Sequence, residues 1–174
     1  MTTVLFPGTF DPIHYGHINI AKRAAELFDE VYVAVYAKEQ RNILFSPHER
    51  LALVQEAFKG HNKIHVVAYS GLTVYFAKSV GAQAIVRGLR VFSDFEYEFR
   101  MALANHRLEP AIDVIALITS EKHTFLSSTT VREIAALGGD VSSMVPDHVN
   151  KALKSRFKTM GEDQDVVPLN SLRD

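Results

Sequence analysis

Apolar, β-branched runs recur along the chain at Thr3–Phe6, Val31–Tyr36, Ile64–Ala68, Ala84–Arg87 and Val114–Thr119. They are nearly continuous rather than alternating, the pattern of strands covered on both faces of a parallel sheet. Between them, Ile18–Phe28, Pro47–Phe58, Thr73–Val80, Asp94–Leu108 and Thr129–Leu137 carry helical periodicity. Ser46, Pro47 and Glu49 predict an N-cap, a first-turn proline and a capping box, and Gly138-Gly139 predicts a helix stop. A last helix is expected from near Pro146, with Val149, Ala152, Leu153 and Phe157 on one face. The alternation predicts an α/β fold, a single doubly wound parallel sheet of Rossmann-like form, with right-handed crossovers and C-terminal helices. Residues 1–158 form the expected domain. Residues 159–174 are polar and mixed, and a flexible tail is expected there.

Composition narrows the class. A chain of 174 residues with 47% hydrophobic content suits one globular domain with a sizeable core. The net charge of −1 argues against a nucleic-acid binder that relies on a broad basic field. Phosphate recognition would have to come from a few placed cations. The absence of cysteine excludes disulfides, thiolate metal sites and cysteine nucleophiles, and suits a reducing cytosol. No apolar run approaches the roughly 20 residues of a membrane-spanning helix, and no secretory signal pattern opens the chain, so a cytoplasmic protein without membrane contact is expected.

Three constellations carry candidate chemistry. The first is the turn after the first strand, from Pro7 to His17, with Thr9, His14, Gly16 and His17 at a helix N-terminus. Free backbone N–H groups and the positive end of the helix dipole favour anions there. A histidine beside a phosphate can donate to oxygens that gain charge in a transition state. A metal pair is the competing reading, but no third ligand accompanies the two histidines. A purely structural pair is disfavoured, since packing offers no evident use for them.

The second constellation is Arg87-Gly88-Leu89-Arg90 at the end of the fourth strand, followed by Asp94, Glu96 and Glu98. Two guanidinium forks can clamp two phosphates, and Glu98 can accept from ribose hydroxyls. The competing reading pairs the arginines with Asp94 and Glu96 as surface ion pairs. The third constellation, Ser127-Ser128-Thr129-Thr130, opens a helix with more hydroxyls than an ordinary cap uses. A triphosphate tail would employ the surplus. No G-x-G-x-x-G follows the first strand and no Walker A sequence is present, which disfavours dinucleotide dehydrogenases and P-loop enzymes.

The H-x-G-H of His14-x-Gly16-His17 resembles the signature of nucleotidyltransferases. Together with GLTVYFAKSVGA, VRGLRVFSDFEYE and FLSSTTVRE, in this order and spacing, it makes residues 3–157 similar to the bacterial phosphopantetheine adenylyltransferase family. The resemblance implies adenylyl transfer from Mg²⁺-ATP to 4′-phosphopantetheine, and a homohexamer inhibited by coenzyme A. It places ATP on Thr9, Phe10, His17, Gly88, Leu89, Arg90, Glu98, His123, Thr124, Phe125, Leu126, Ser127, Ser128 and Thr129. The phosphopantetheine arm falls to Thr9, Arg41, Leu72, Thr73 and Arg87, and the catalytic roles to His17, Arg41 and Arg90. Mg²⁺ would be held mainly by the ATP phosphates rather than by protein ligands. Two departures stand out: Arg41 occupies the place of a usual lysine, and His123 that of a common aromatic residue near adenine. Transfer to another small-molecule acceptor and a non-catalytic nucleotide-sensing module are the alternatives.

Overall fold

The computed structural model describes residues 1–38 and 42–162; Arg41 and residues 163–174 lie outside the described residues. Five parallel strands form one sheet in the order β3-β2-β1-β4-β5. They are β1 (Thr3–Gly8), β2 (Glu30–Tyr36), β3 (Ile64–Tyr69), β4 (Ala84–Leu89) and β5 (Asp113–Ile118). The helices are α1 (Tyr15–Leu27), α2 (Pro47–Ala57), α3 (Thr73–Ser79), α4 (Phe92–Leu108), α5 (Ser128–Ala136) and α6 (Asp147–Glu162). A short 3₁₀ turn spans Glu121–His123. No described helix is long and apolar enough to cross a membrane.

Side chains of the central strands alternate between two cores. Val4, Phe6, Val31, Val33, Val35 and Val86 pack with α1, α2, α5 and α6, whereas Leu5, Ala34 and Ile85 face α3 and Ile112. Burial on both faces explains their continuous apolar runs. The two outer strands depart from that expectation. Most of β5 is at least partly exposed, with Ile118 at 74%, and β3 buries only Ile64 and Tyr69 fully. α4 is likewise exposed along its length and presents Tyr97, Phe99, Met101 and Leu103 outward.

The helix boundaries follow their caps. Ser46 Oγ accepts from the Glu49 N–H while the Glu49 carboxylate accepts from the Ser46 N–H at 2.8 Å, the expected capping box. At the end of α5, Gly138 adopts φ +76°, and the N–H groups of Gly138 and Gly139 donate to Ala135 and Ile134. This Schellman closure needs the left-handed backbone that glycine adopts freely. α6 runs four residues beyond Lys158, the expected domain boundary.

One detail of register makes the site. β1 pairs with β2 as far as Gly8↔Val35, but with β4 only at Val4↔Ala84 and Leu5↔Ile85. Beyond Leu5 the two middle strands part. Pro7 has no N–H to donate across the gap, and Arg87 reaches over instead, its Nη1 donating to the Pro7 carbonyl at 3.1 Å. The sheet therefore opens at its carboxyl edge where the strand order reverses, the position at which open α/β sheets bind ligands.

Candidate active site

Two adjoining cavities fill this opening, of about 330 Å³ and about 270 Å³. Pro7, Gly8, Thr9, Arg87 and Glu98 line both, so they meet over the β1 turn and the end of β4. The larger extends between α3 and α4 and is lined by Tyr36, Tyr69, Leu72, Thr73, Met101 and Asn105. The smaller reaches the start of α1 and of α5, along His14, Gly16, His17, Gly88, Arg90, Ser127 and Ser128.

The two histidines build the helix start that carries them. His14 is the N-cap of α1, and its Nδ1 accepts from the Gly16 N–H at 3.1 Å. His17 Nδ1 accepts in return from the His14 N–H at 3.3 Å. Their rings stack at 3.7 Å. A Cβ on Gly16 would come within 2.8 Å of the His14 ring, which explains the glycine. Packing thus has a definite use for the pair, contrary to expectation, and the cap starts α1 at Tyr15 rather than Ile18. Because Nδ1 of His17 accepts, its proton sits on Nε2. Burial, then Arg90 and Arg87, pulls the His17 pKa down to about 3. Burial first, then His17, Arg90 and His123, holds His14 well below its ordinary value. Both imidazoles are neutral at physiological pH and act as fixed dipoles.

Both arginines have carboxylate partners in the crevice. Arg87 forms a bidentate pair with Glu98, at 2.6 and 2.8 Å. Arg90 contacts Asp94 through Nε at 3.2 Å and the Leu126 carbonyl through Nη1 at 2.9 Å. The ion-pair reading is therefore correct about Asp94, but it is Glu98, not Glu96, that meets Arg87. The pairs are more than surface decoration, since all four residues line the smaller cavity. Gly88 lines it too, and its missing side chain admits Ile20 of α1, whose Cγ1 would stand 3.2 Å from a Cβ there.

At α5, Ser127 caps the helix by accepting from the Thr130 N–H at 3.0 Å, and Ser128 Oγ donates to the Pro12 carbonyl at 2.8 Å. Capping and cavity lining coexist here. Several other expected site residues stand back from the cavities. Phe10, at φ +52°, buries its ring in the core against Phe6 and His17, leaving only its backbone to a ligand. Leu126 is core and Phe125 is 61% exposed. Leu89, Thr124 and Thr129 line neither cavity. His123 also lines neither, and its Nδ1 meets Ser120 Oγ at 2.9 Å. Burial, then Lys122, lowers its pKa. Arg41 falls outside the described residues.

Sequence reasoning missed the buried ions behind the crevice. Arg50 is fully buried; its Nη1 donates to the Thr9 carbonyl at 2.7 Å and the Tyr36 carbonyl at 2.8 Å, and Nε to the Phe45 carbonyl at 3.1 Å. Asp11 accepts from the Leu44 and Phe45 N–H groups at 2.8 and 2.9 Å, and Arg132 of α5 donates to its carboxylate and carbonyl. The available signal was charge set among core residues, Asp11 beside Phe10 and Pro12, Arg50 in α2 and Arg132 in α5. Sequence reasoning also overlooked Tyr69, whose hydroxyl lies 2.9 Å from Thr73 Oγ1 at the larger cavity.

No group of three or more His, Asp or Glu side chains that could hold a metal ion occurs among the described residues. Asp94 and Glu98 are engaged by arginines. Cations, hydroxyls and helix N–H groups dominate the smaller cavity. That donor set fits a divalent cation carried in on a polyphosphate better than one resident on protein ligands.

Residues 5–134 match the cytidylyltransferase-like family. The chain is 47% identical over 159 residues to a protein of Thermomicrobium roseum named phosphopantetheine adenylyltransferase, covering 90% of this chain and 95% of that one. Proteins of the same name from Roseiflexus sp. and Herpetosiphon aurantiacus are 48% and 44% identical, covering 90% and 94% of this chain and 98% and 99% of theirs.

Proposed function

This chain belongs to the phosphopantetheine adenylyltransferases within the cytidylyltransferase-like family, and from that premise we propose that it transfers the adenylyl group of ATP to 4′-phosphopantetheine. The products are dephospho-coenzyme A and pyrophosphate. The observation that carries this reading is the pair of cavities meeting at Thr9, Arg87 and Glu98. One holds His17, Arg90 and the α5 start, as a nucleotide triphosphate requires. The other runs past Leu72 and Thr73, as an extended arm requires.

A phosphate oxygen of the acceptor attacks the α-phosphorus in line, forming one P–O bond as the bond to pyrophosphate breaks. A phosphate monoester is already anionic near neutral pH, since its second pKa is about 6, so no general base is needed. Catalysis then rests on positioning and on neutralising charge. His17 directs Nε2–H at a non-bridging oxygen of the α-phosphate and donates as a neutral imidazole. Arg90 and the N–H groups of α5 take the β- and γ-phosphates. Arg87 takes the acceptor phosphate, exchanging its pairing with Glu98, which turns to the ribose. Arg41, between β2 and α2, supplies further positive charge to both phosphates. Mg²⁺ bound to the polyphosphate would neutralise part of its charge and favour the leaving pyrophosphate.

Coenzyme A shares the arm and the nucleotide, so two joined cavities that a single such ligand would span support feedback inhibition by it. The exposed apolar side chains of α4 and β5 support the homohexamer, and a cytoplasmic location accords with the biosynthetic role. A panel of nucleotides and phosphate acceptors, scored by pyrophosphate release, tests the assignment. ATP with 4′-phosphopantetheine should exceed every other pair. A preference for CTP or for nicotinamide mononucleotide would overturn it.

A further inference from the structure

Thr9 and the α5 start, through Ser127 and Ser128, are two walls of the nucleotide cavity drawn from distant parts of the chain. Besides the Ser128 Oγ bond to the Pro12 carbonyl, a second and buried tie lies behind them. Asp11, 2% exposed, is two residues beyond Thr9 and binds the Leu44 and Phe45 N–H groups with its two carboxylate oxygens. Arg132, in the second turn of α5, donates to both the carbonyl and the carboxylate of Asp11. Arg50 gathers the carbonyls of Thr9, Tyr36 and Phe45 on one guanidinium. Three parts of the chain that are far apart in sequence therefore share one buried ionic cluster: the Thr9 turn, the end of the β2–α2 connection with the first turn of α2 that carries Arg50, and α5.

A cluster of this kind is a weak source of net stability, because burying two guanidinium groups and a carboxylate offsets most of their attraction. Its directional bonds do something an apolar core would not. The bonds hold backbone groups of Thr9 and Asp11 in the turn and of Leu44 and Phe45 in the segment that follows Arg41, and the Arg132 side chain anchors to them the helix that begins with Ser128. We propose that Asp11, Arg50 and Arg132 are positioning residues, which hold the two walls at the spacing the α-phosphate needs as charge develops on it. This rests on the adenylyl-transfer reading. The cluster acts through Thr9, His17 and the α5 start, and contacts no substrate.

The test compares Arg132→Lys and Arg132→Met with the wild type, measuring thermal unfolding and steady-state pyrophosphate release from ATP and 4′-phosphopantetheine. Displacing a catalytic wall by about 1 Å can cost about 100-fold in rate. Arg132→Met should lower kcat by about 10- to 100-fold with both KM values within about threefold, and Arg132→Lys, which keeps the charge, should recover part of the loss. Combined with His17→Ala, Arg132→Met should add little further loss, because the wall it aligns has lost its donor; independent sites would multiply. A kcat within twofold of wild type, or full multiplicativity with His17→Ala, would overturn the positioning role alone. So would loss of cooperative unfolding in both Arg132 variants, which would make the cluster a folding element. A wild type that releases no pyrophosphate would overturn the parent reading and this one with it.

Discussion

At the scale of single residues, His14, Gly16 and His17 show how one short motif meets a structural and a chemical demand together. The imidazoles cap α1 and stack, while the second keeps Nε2–H for a ligand. His17→Ala should lower turnover about 10²–10³-fold with ATP affinity nearly unchanged, the usual cost of removing one transition-state donor; kinetics beside calorimetric ATP binding would check it. Gly16→Ala drives a methyl into the His14 ring and should cost about 1–3 kcal/mol of stability, read from denaturant unfolding. The pH dependence has a definite sign. Below about pH 6.5 the unfolded chain binds protons that the folded His14 and His17 refuse, so stability falls as pH drops from there towards about 3. Melting temperature should therefore decline between pH 6.5 and 5, and less steeply in His17→Gln. Sequence alone placed these histidines at a helix N-terminus beside an anion site. It could not reveal the reciprocal cap, because that depends on ring orientations rather than spacing. Nor could it pair Arg87 with Glu98, since residues eleven apart meet only once α4 packs over β4.

Among the elements, α5 is the plainest case of a helix whose two ends do different work. Its start meets the nucleotide cavity through Ser127 and Ser128, and its end closes on Gly138 at φ +76°. Gly138→Ala should cost about 1 kcal/mol of stability and leave turnover unchanged, since a Cβ there meets nothing but the left-handed backbone is strained. Ser127→Ala should cost about 1 kcal/mol as a lost cap and should also weaken ATP binding, checked by calorimetry. Strand and helix identities were legible throughout because the period changes from continuous apolar runs to helical spacing. Boundaries moved by one to three residues where caps, not hydrophobicity, decide them, as at Tyr15. The exposure of β5 was not legible. Val114–Thr119 reads as a doubly covered strand, yet β5 lies at the sheet edge with Ile118 at 74% exposure.

For the whole molecule, exposed apolar side chains occur on that strand and along α4, which packs against it, and such surface is expected to be buried against further copies. Sedimentation should give a multiple of the 19.5 kDa chain mass, and Leu103→Glu, at 58% exposure, should shift it towards smaller species. The opening between β1 and β4 is the other whole-molecule feature, since it exists only where strand order reverses. It gathers Thr9, His17, Arg87, Arg90 and Ser127 from separate parts of the chain around two joined cavities. On the proposed function, these cavities bring ATP and 4′-phosphopantetheine into line. Pyrophosphate release from ATP, measured with and without 4′-phosphopantetheine and paired with mass identification of the product, tests it most directly. Release that requires 4′-phosphopantetheine and yields dephospho-coenzyme A in equal amount is the predicted result. No release, or release that proceeds equally well without the acceptor, would contradict it.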